Sequence, residues 1–181
     1  MSNIKSFPTS AKLMHWISAL LVISLLFVGV SMIQSMAPWQ HTAIKMHQSI
    51  GVLVFVLVLV RLVNRFFFTA PALPSELSRL QQLAAKFTQV LLYVLMLAQP
   101  LSGWLMRNAE GLPVSFFGLF QLPTLIGFNY QAFGVLRDLH GILAWSLFVV
   151  IVLHIGAALH HGLIRQDSVL PSMLFKFRSR K

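Results

Sequence analysis

The chain of 181 residues is 57% apolar and only 10% charged, with a mean hydropathy of +0.78. An ordinary soluble domain carries about 25% charged residues, so this composition excludes a water-facing globule and leaves an integral membrane protein with room for four or five spans of about 20 residues. The excess of 14 Lys and Arg over 4 Asp and Glu would point to nucleic acid in a soluble chain, but at membrane edges such residues set orientation, and no nucleic-acid partner is expected.

Four apolar stretches are read as helices, in chain order about 11–33, 44–63, 83–106 and 135–159. The first exceeds the h-region of a signal peptide, about 7–15 residues, so it is read as retained and not as a leader cleaved at Ser35–Met36–Ala37. The connection Thr69–Ser78, with Pro71 and Pro74, is a short link within one bundle. The uncharged segment Leu112–Leu136 holds Pro113, Pro123, Gly118 and Gly127, interleaved with Phe116, Phe117, Phe120 and Phe128. Such breakers suit an aromatic loop on the membrane surface and not a lipid-exposed helix. The expected fold is all-α, an integral membrane four-helix bundle forming one domain over residues 1–181.

With four spans, the amino end, the second-to-third connection and the carboxyl tail share one side. They hold Lys5, Lys12, Arg61, Arg65, Arg79, Lys86, Arg165, Lys176, Arg178, Arg180 and Lys181, eleven of the fourteen basic residues. The other side holds Lys45, Arg107 and Arg137. This bias places both termini in the cytoplasm. A fifth span would carry the basic tail outward.

The chain has no cysteine, which excludes disulfides, iron–sulfur clusters, thiolate zinc sites and covalent haem attachment. Redox chemistry would need a non-covalent cofactor, and the seven histidines are the ligand supply. His140 and His154 are separated by fourteen residues on the fourth helix, about 40° short of four full turns and roughly 21 Å along the axis. They share a face at two depths. His15 on the first helix matches the depth of His154, and His47 on the second matches His140. Two histidine pairs at two depths are what two bis-histidine haems require. The residue four positions after each is small: Ala19, Gly51, Ala144 and Ala158. That position lies on the same helix face, where bulk would obstruct a flat porphyrin. The bland alternative for a membrane histidine is an interhelical hydrogen bond. His41 reads as a solvated loop residue, and His160 and His161 as interfacial polar residues or a proton supply.

The residues now carry a family resemblance. Met14–His15–Trp16, the run HQSIG at His47–Gly51 followed by Arg61 and Arg65, LYVLMLAQPLSGW at Leu92–Trp104, and LHGILAW at Leu139–Trp145 through His154 to Arg165–Asp167 resemble the bacterial cytochrome b561 family over nearly the whole chain. That family is similar in turn to the cytochrome b subunits of hydrogenases and formate dehydrogenases. The resemblance implies a diheme, quinone-linked protein of the bacterial inner membrane, with the family's ligand positions on His15, His47, His140 and His154. Some members oxidise superoxide at the periplasmic face and pass the electron to ubiquinone.

Arg61, fourteen residues after His47, lies on nearly the same face at the depth of the inner haem. It would either compensate an anionic propionate or snorkel to the interface beside Arg65. Trp16, Trp104 and Trp145 read as interfacial anchors or packing residues ahead of haem-pocket walls. Lys45 and Arg137 precede His47 and His140 by two and three residues, which suits steering of an anionic donor such as superoxide; ordinary interface anchoring is the alternative. The leading reading is an electron carrier, an oxidoreductase between a small periplasmic donor and ubiquinone or another quinone. The rivals are an anchor subunit for a dehydrogenase or hydrogenase partner, and a transporter or structural bundle without haem.

Overall fold

The computed structural model describes residues 6–34, 37–68, 71, 74 and 76–175. The chain forms four long helices, α1 Thr9–Ile33, α2 Trp39–Asn64, α3 Arg79–Ala109 and α4 Tyr130–Leu159, and a short α5, Val169–Met173. Four helices among the described residues are long and apolar enough to cross a membrane. Ser35, Met36, Thr69 and the basic residues Lys5, Lys176, Arg178, Arg180 and Lys181 lie outside the described residues.

The helices run beyond the apolar stretches, α2 starting at Trp39 and α4 at Tyr130. Hydropathy marks only the length suited to hydrocarbon, whereas the backbone ladder continues until something caps it. Extended Pro8 precedes α1. Ser78 closes a capping box with Gln81 at the start of α3, and Asn129 Oδ1 accepts the Ala132 N–H at the start of α4. Two expectations are thereby corrected. His41 is an exposed residue in the first turn of α2 and not in a loop, and residues 130–136 are helical.

The rest of the uncharged segment is not a helix. It carries a hairpin of β1, Ser115–Phe116, and antiparallel β2, Phe120–Gln121, turned through positive φ at Phe117 and Gly118. The buried Ser49 hydroxyl on α2 accepts the Phe117 N–H at 2.9 Å and lies 3.2 Å from the Ser115 carbonyl. One α2 side chain thus pins the hairpin to the end of the bundle that holds Lys45 and His47.

At the opposite end the chain closes on itself. After α4 a π-helical turn, His160–Arg165, leads through left-handed Gln166 into α5. The Phe7 N–H donates to Ser172 O at 3.2 Å, the buried Lys12 Nζ to Leu174 O at 2.7 Å, and Trp16 Nε1 to Met173 O at 3.1 Å. The segments flanking α1 and α4 therefore meet at one end, as an even number of crossings requires.

α1 packs on α2, α2 on α3 and α3 on α4, while α4 approaches α1 and α2 much less closely. A buried layer of Val22, Val54, Val58, Leu95, Met96 and Leu147 lies at mid-height. Outward-facing apolar side chains such as Leu20 and Leu153 are 68% and 64% exposed. Lipid is as apolar as they are, so in a bilayer this exposure carries no penalty and the helices are held by packing and hydrogen bonds.

Candidate functional site

Four histidines meet in two pairs, one at each end of the α4 seam. The His15 ring on α1 faces His154 on α4 with centroids 6.3 Å apart, and His47 on α2 faces His140 on α4 at 6.4 Å. Leu147, seven residues from each α4 histidine, lies in the apolar layer between the pairs. Among the described residues no three His, Cys, Asp or Glu converge on one point. Two imidazoles alone suit a metal that brings its own equatorial ligands, as porphyrin iron does. Metal–imidazole bonds of about 2 Å, plus half a ring on each side, set the centroids about 6 Å apart, matching both pairs.

Room for a flat group is also present. The helices that carry each pair are the ones that stand apart, and a Cβ added at Gly51 would meet nothing within 4 Å. Two further glycines guard the rings. A Cβ on Gly29 would lie 3.5 Å from His47 Cε1, and one on Gly103 only 3.0 Å from His140 Cε1. Neither glycine is visible to a rule based on spacing along one helix.

The surroundings of the four rings differ. Ser102 Oγ lies 2.9 Å from His140 Nδ1, and Gln99 Nε2 lies 3.1 Å from His140 Nε2. The buried His47 Nδ1 has no hydrogen-bond partner. Arg61 turns inward: Nη1 donates to Ser18 Oγ at 2.9 Å, Nη2 lies 2.9 Å from His15 Nδ1, and the guanidinium sits 5.5 Å from the Tyr93 ring centroid. It does not snorkel. Because arginine only donates, His15 Nδ1 must be the acceptor and its proton must sit on Nε2. A metal bound at Nε2 of neutral His15 would move that proton to Nδ1 and release Arg61 for another partner.

At the closed end, His161 Nδ1 lies 2.5 Å from Asp167 Oδ2, and the Val169 N–H donates to Asp167 Oδ1 at 3.0 Å. Burial pushes the Asp167 carboxyl up, but the hydrogen bonds from His161 and Val169, with Arg165 nearby, hold it below the usual carboxylate value. His160 is exposed, its ring 5.9 Å from that of His161.

At the hairpin end Lys45 and Arg137 are exposed and make no ion pair among the described residues. Arg107 pairs with Glu110, and exposed Asp138 adjoins Arg137, so acidic residues offset part of the local positive charge. Trp104 Nε1 donates to Pro123 O at 3.1 Å, and Trp145 is 63% exposed.

Comparison with known proteins converges on one family. The model of the prokaryotic cytochrome b561 family matches residues 6–176. The chain is 36% identical over 168 residues to cytochrome b561 homolog 2 of Escherichia coli (strain K12), covering 91% of this chain and 89% of the relative. It is 27% identical over 164 residues to cytochrome b561 homolog 1 of the same organism, covering 89% and 92%. Identity is 29% over 168 residues to a protein of Yersinia pestis named probable superoxide oxidase CybB, covering 91% and 93%. With spans, facing imidazoles and these relatives in agreement, the chain belongs to the prokaryotic cytochrome b561 family, bacterial membrane cytochromes in which haem b carries electrons.

Proposed function

We propose that this chain is a diheme b-type cytochrome of the bacterial inner membrane, with both termini in the cytoplasm, that takes electrons from superoxide at the periplasmic face and delivers them to ubiquinone or another quinone. The observation that carries this reading is the pair of imidazole pairs, 6.3 and 6.4 Å between centroids, at the two ends of a membrane-length bundle. His15 with His154 would hold the inner haem and His47 with His140 the outer. Bound haem supplies the one-electron couple.

The protein's own residues do the rest. Lys45 and Arg137, exposed at the hairpin end, raise the local concentration of an anionic donor. Each superoxide gives up one electron and leaves as dioxygen. Two electrons and two protons convert the quinone to quinol. Arg61, released from His15 Nδ1, would compensate a propionate of the inner haem, since an intramembrane cation needs an anionic partner. His161, its Nδ1 held by Asp167, presents Nε2 as a site that can take up a proton and pass it on, with His160 beside it. The membrane bilayer, the quinone and a small periplasmic donor are the partners in this scheme. The name of the Yersinia pestis relative supports the choice of superoxide.

Haem extraction and a reduced-minus-oxidised spectrum of the purified chain test this reading. Two b haems per chain are expected, and His47→Ala and His140→Ala should each lose the same spectral component and spare the other. If His47→Ala and His154→Ala remove the same component, the pairing is wrong. A chain that binds no haem overturns the proposal, and isolation only in a complex with a dehydrogenase favours an anchor subunit.

A further inference from the structure

The α3 stretch Gln99–Pro100–Leu101–Ser102–Gly103–Trp104 carries no ligand, yet it lies against His140. The Ser102 hydroxyl has one proton and two sites that face acceptor atoms. Its Oγ is 2.7 Å from the Gln99 backbone oxygen, and a carbonyl only accepts, so the hydroxyl proton is used there. Toward His140 Nδ1, 2.9 Å away, Oγ can then only accept. That arrangement puts the His140 proton on Nδ1 and leaves Nε2 as a lone pair. The Gln99 side-chain amide, 3.1 Å from Nε2 with its own oxygen buried and unpaired, suits either tautomer and would turn aside for a metal. Ser102 is buried, 4% exposed, so no water competes for the bond. The next residue explains how the hydroxyl gets so close: any side chain at Gly103 would press on His140 Cε1 at 3.0 Å.

We propose that Ser102 is a positioning residue that locks His140 in the Nδ1–H tautomer and so presents Nε2 to the outer haem iron, setting that haem's potential. The inference rests on His140 being a ligand. Its physical basis is general: a metal-bound imidazole that donates its other N–H to an oxygen is oriented by that bond and made more basic. A more basic ligand favours the oxidised metal. The outer couple is therefore lower with Ser102 than without it. Two of the other histidines differ among the described residues: His15 Nδ1 faces an arginine, and His47 Nδ1 has no partner. A purely local role, in which the serine bonds back to the preceding turn of its own helix, would leave the potential of a haem untouched.

The test is a spectroelectrochemical titration of the purified holoprotein, with haem quantification, for wild type, Ser102→Ala, Ser102→Thr and His140→Ala. Ser102→Ala is expected to raise the outer couple by up to about tenfold in the oxidation equilibrium, about 59 mV for one electron, with the inner couple unchanged. Ser102→Thr, which keeps the acceptor, should restore the wild-type value. If Ser102→Ala loses the outer haem, the proposal requires Ser102→Thr to retain it. Equal potentials and equal outer-haem content in the Ala and Thr variants overturn the proposal, provided that His140→Ala removes one haem. If His140→Ala keeps both haems, the ligand assignment fails and takes the inference with it.

Discussion

Arg61→Gln removes one positive charge from the end of the bundle where His15 and His154 face each other. In the structure Nη2 lies 2.9 Å from His15 Nδ1, and the two rings are 6.3 Å apart. A metal between the rings releases the guanidinium from Nδ1, but its place on α2 keeps it beside the pair, on the order of 8 Å from that metal, where one unit charge at an effective dielectric of about 20 contributes about 2 kcal/mol. By the conversion of about 59 mV per factor of ten for one electron, that is about 90 mV. The oxidised metal is one charge more positive, so losing a nearby cation stabilises it and lowers the potential. The other pair is about 21 Å farther along the axis, where the same charge counts for a third or less. A potentiometric titration should therefore show the inner couple moving down by several tens of millivolts and the outer couple by far less. Arg61→Lys, which keeps the charge, should recover most of the shift. An upward shift, or equal movement of both couples, would refute the placement of this charge beside the inner haem.

Pulsed superoxide should reduce the oxidised protein at a rate that falls with salt, because exposed charges are screened over about 8 Å at physiological ionic strength, and falls further in Lys45→Gln/Arg137→Gln at unchanged haem content. The loss should be nearer tenfold than the larger steering effects known for strongly charged clefts, since Asp138 and the Glu110–Arg107 pair already weaken the field; indifference to both salt and substitution eliminates superoxide as the donor. For Asp167, whose carboxyl is held low, the folded form gains stability above the usual value and loses it only as pH falls through the depressed one. Exchange protection of the Val169 N–H should thus persist from neutral pH down past 3.8 and become flat with pH in Asp167→Asn; a decline between pH 7 and 5 would assign the dependence to another group.

What could be read from the sequence was what is local and periodic. Fourteen residues between His140 and His154 fix a shared face whatever α4 packs against, and depth within a span follows from counting. The four spans follow from apolar length, and the non-helical part of the Leu112–Leu136 segment from its Pro and Gly breakers. Helix ends did not, because capping by Ser78 and Asn129 acts outside the apolar stretch that hydropathy detects. The inward turn of Arg61 was one of two open readings, since its partners Ser18 and His15 belong to α1 and only the packing of α1 on α2 brings them near. Gly29 and Ser102 carry no signal on their own helices. Each acquires meaning from an imidazole on another helix. The acidic neighbours Asp138 and Glu110 were legible, but a count of basic residues alone passed over them.

The unlike surroundings of the two pairs give the proposed electron path a direction. With haem at both pairs, a cation at the inner pair would raise that couple, while a hydroxyl accepting from His140 would lower the outer one. In the proposed scheme both effects would make the inner haem the stronger acceptor, so an electron entering near Lys45 and Arg137 would run downhill toward the end that holds His161 and Asp167. The apolar layer of Val22, Val54 and Leu147 keeps the two environments separate, and sites about 20 Å apart with no shared partners should respond independently. Arg61→Gln and Ser102→Ala therefore narrow the gap between the couples from opposite sides. Combined, their shifts should add.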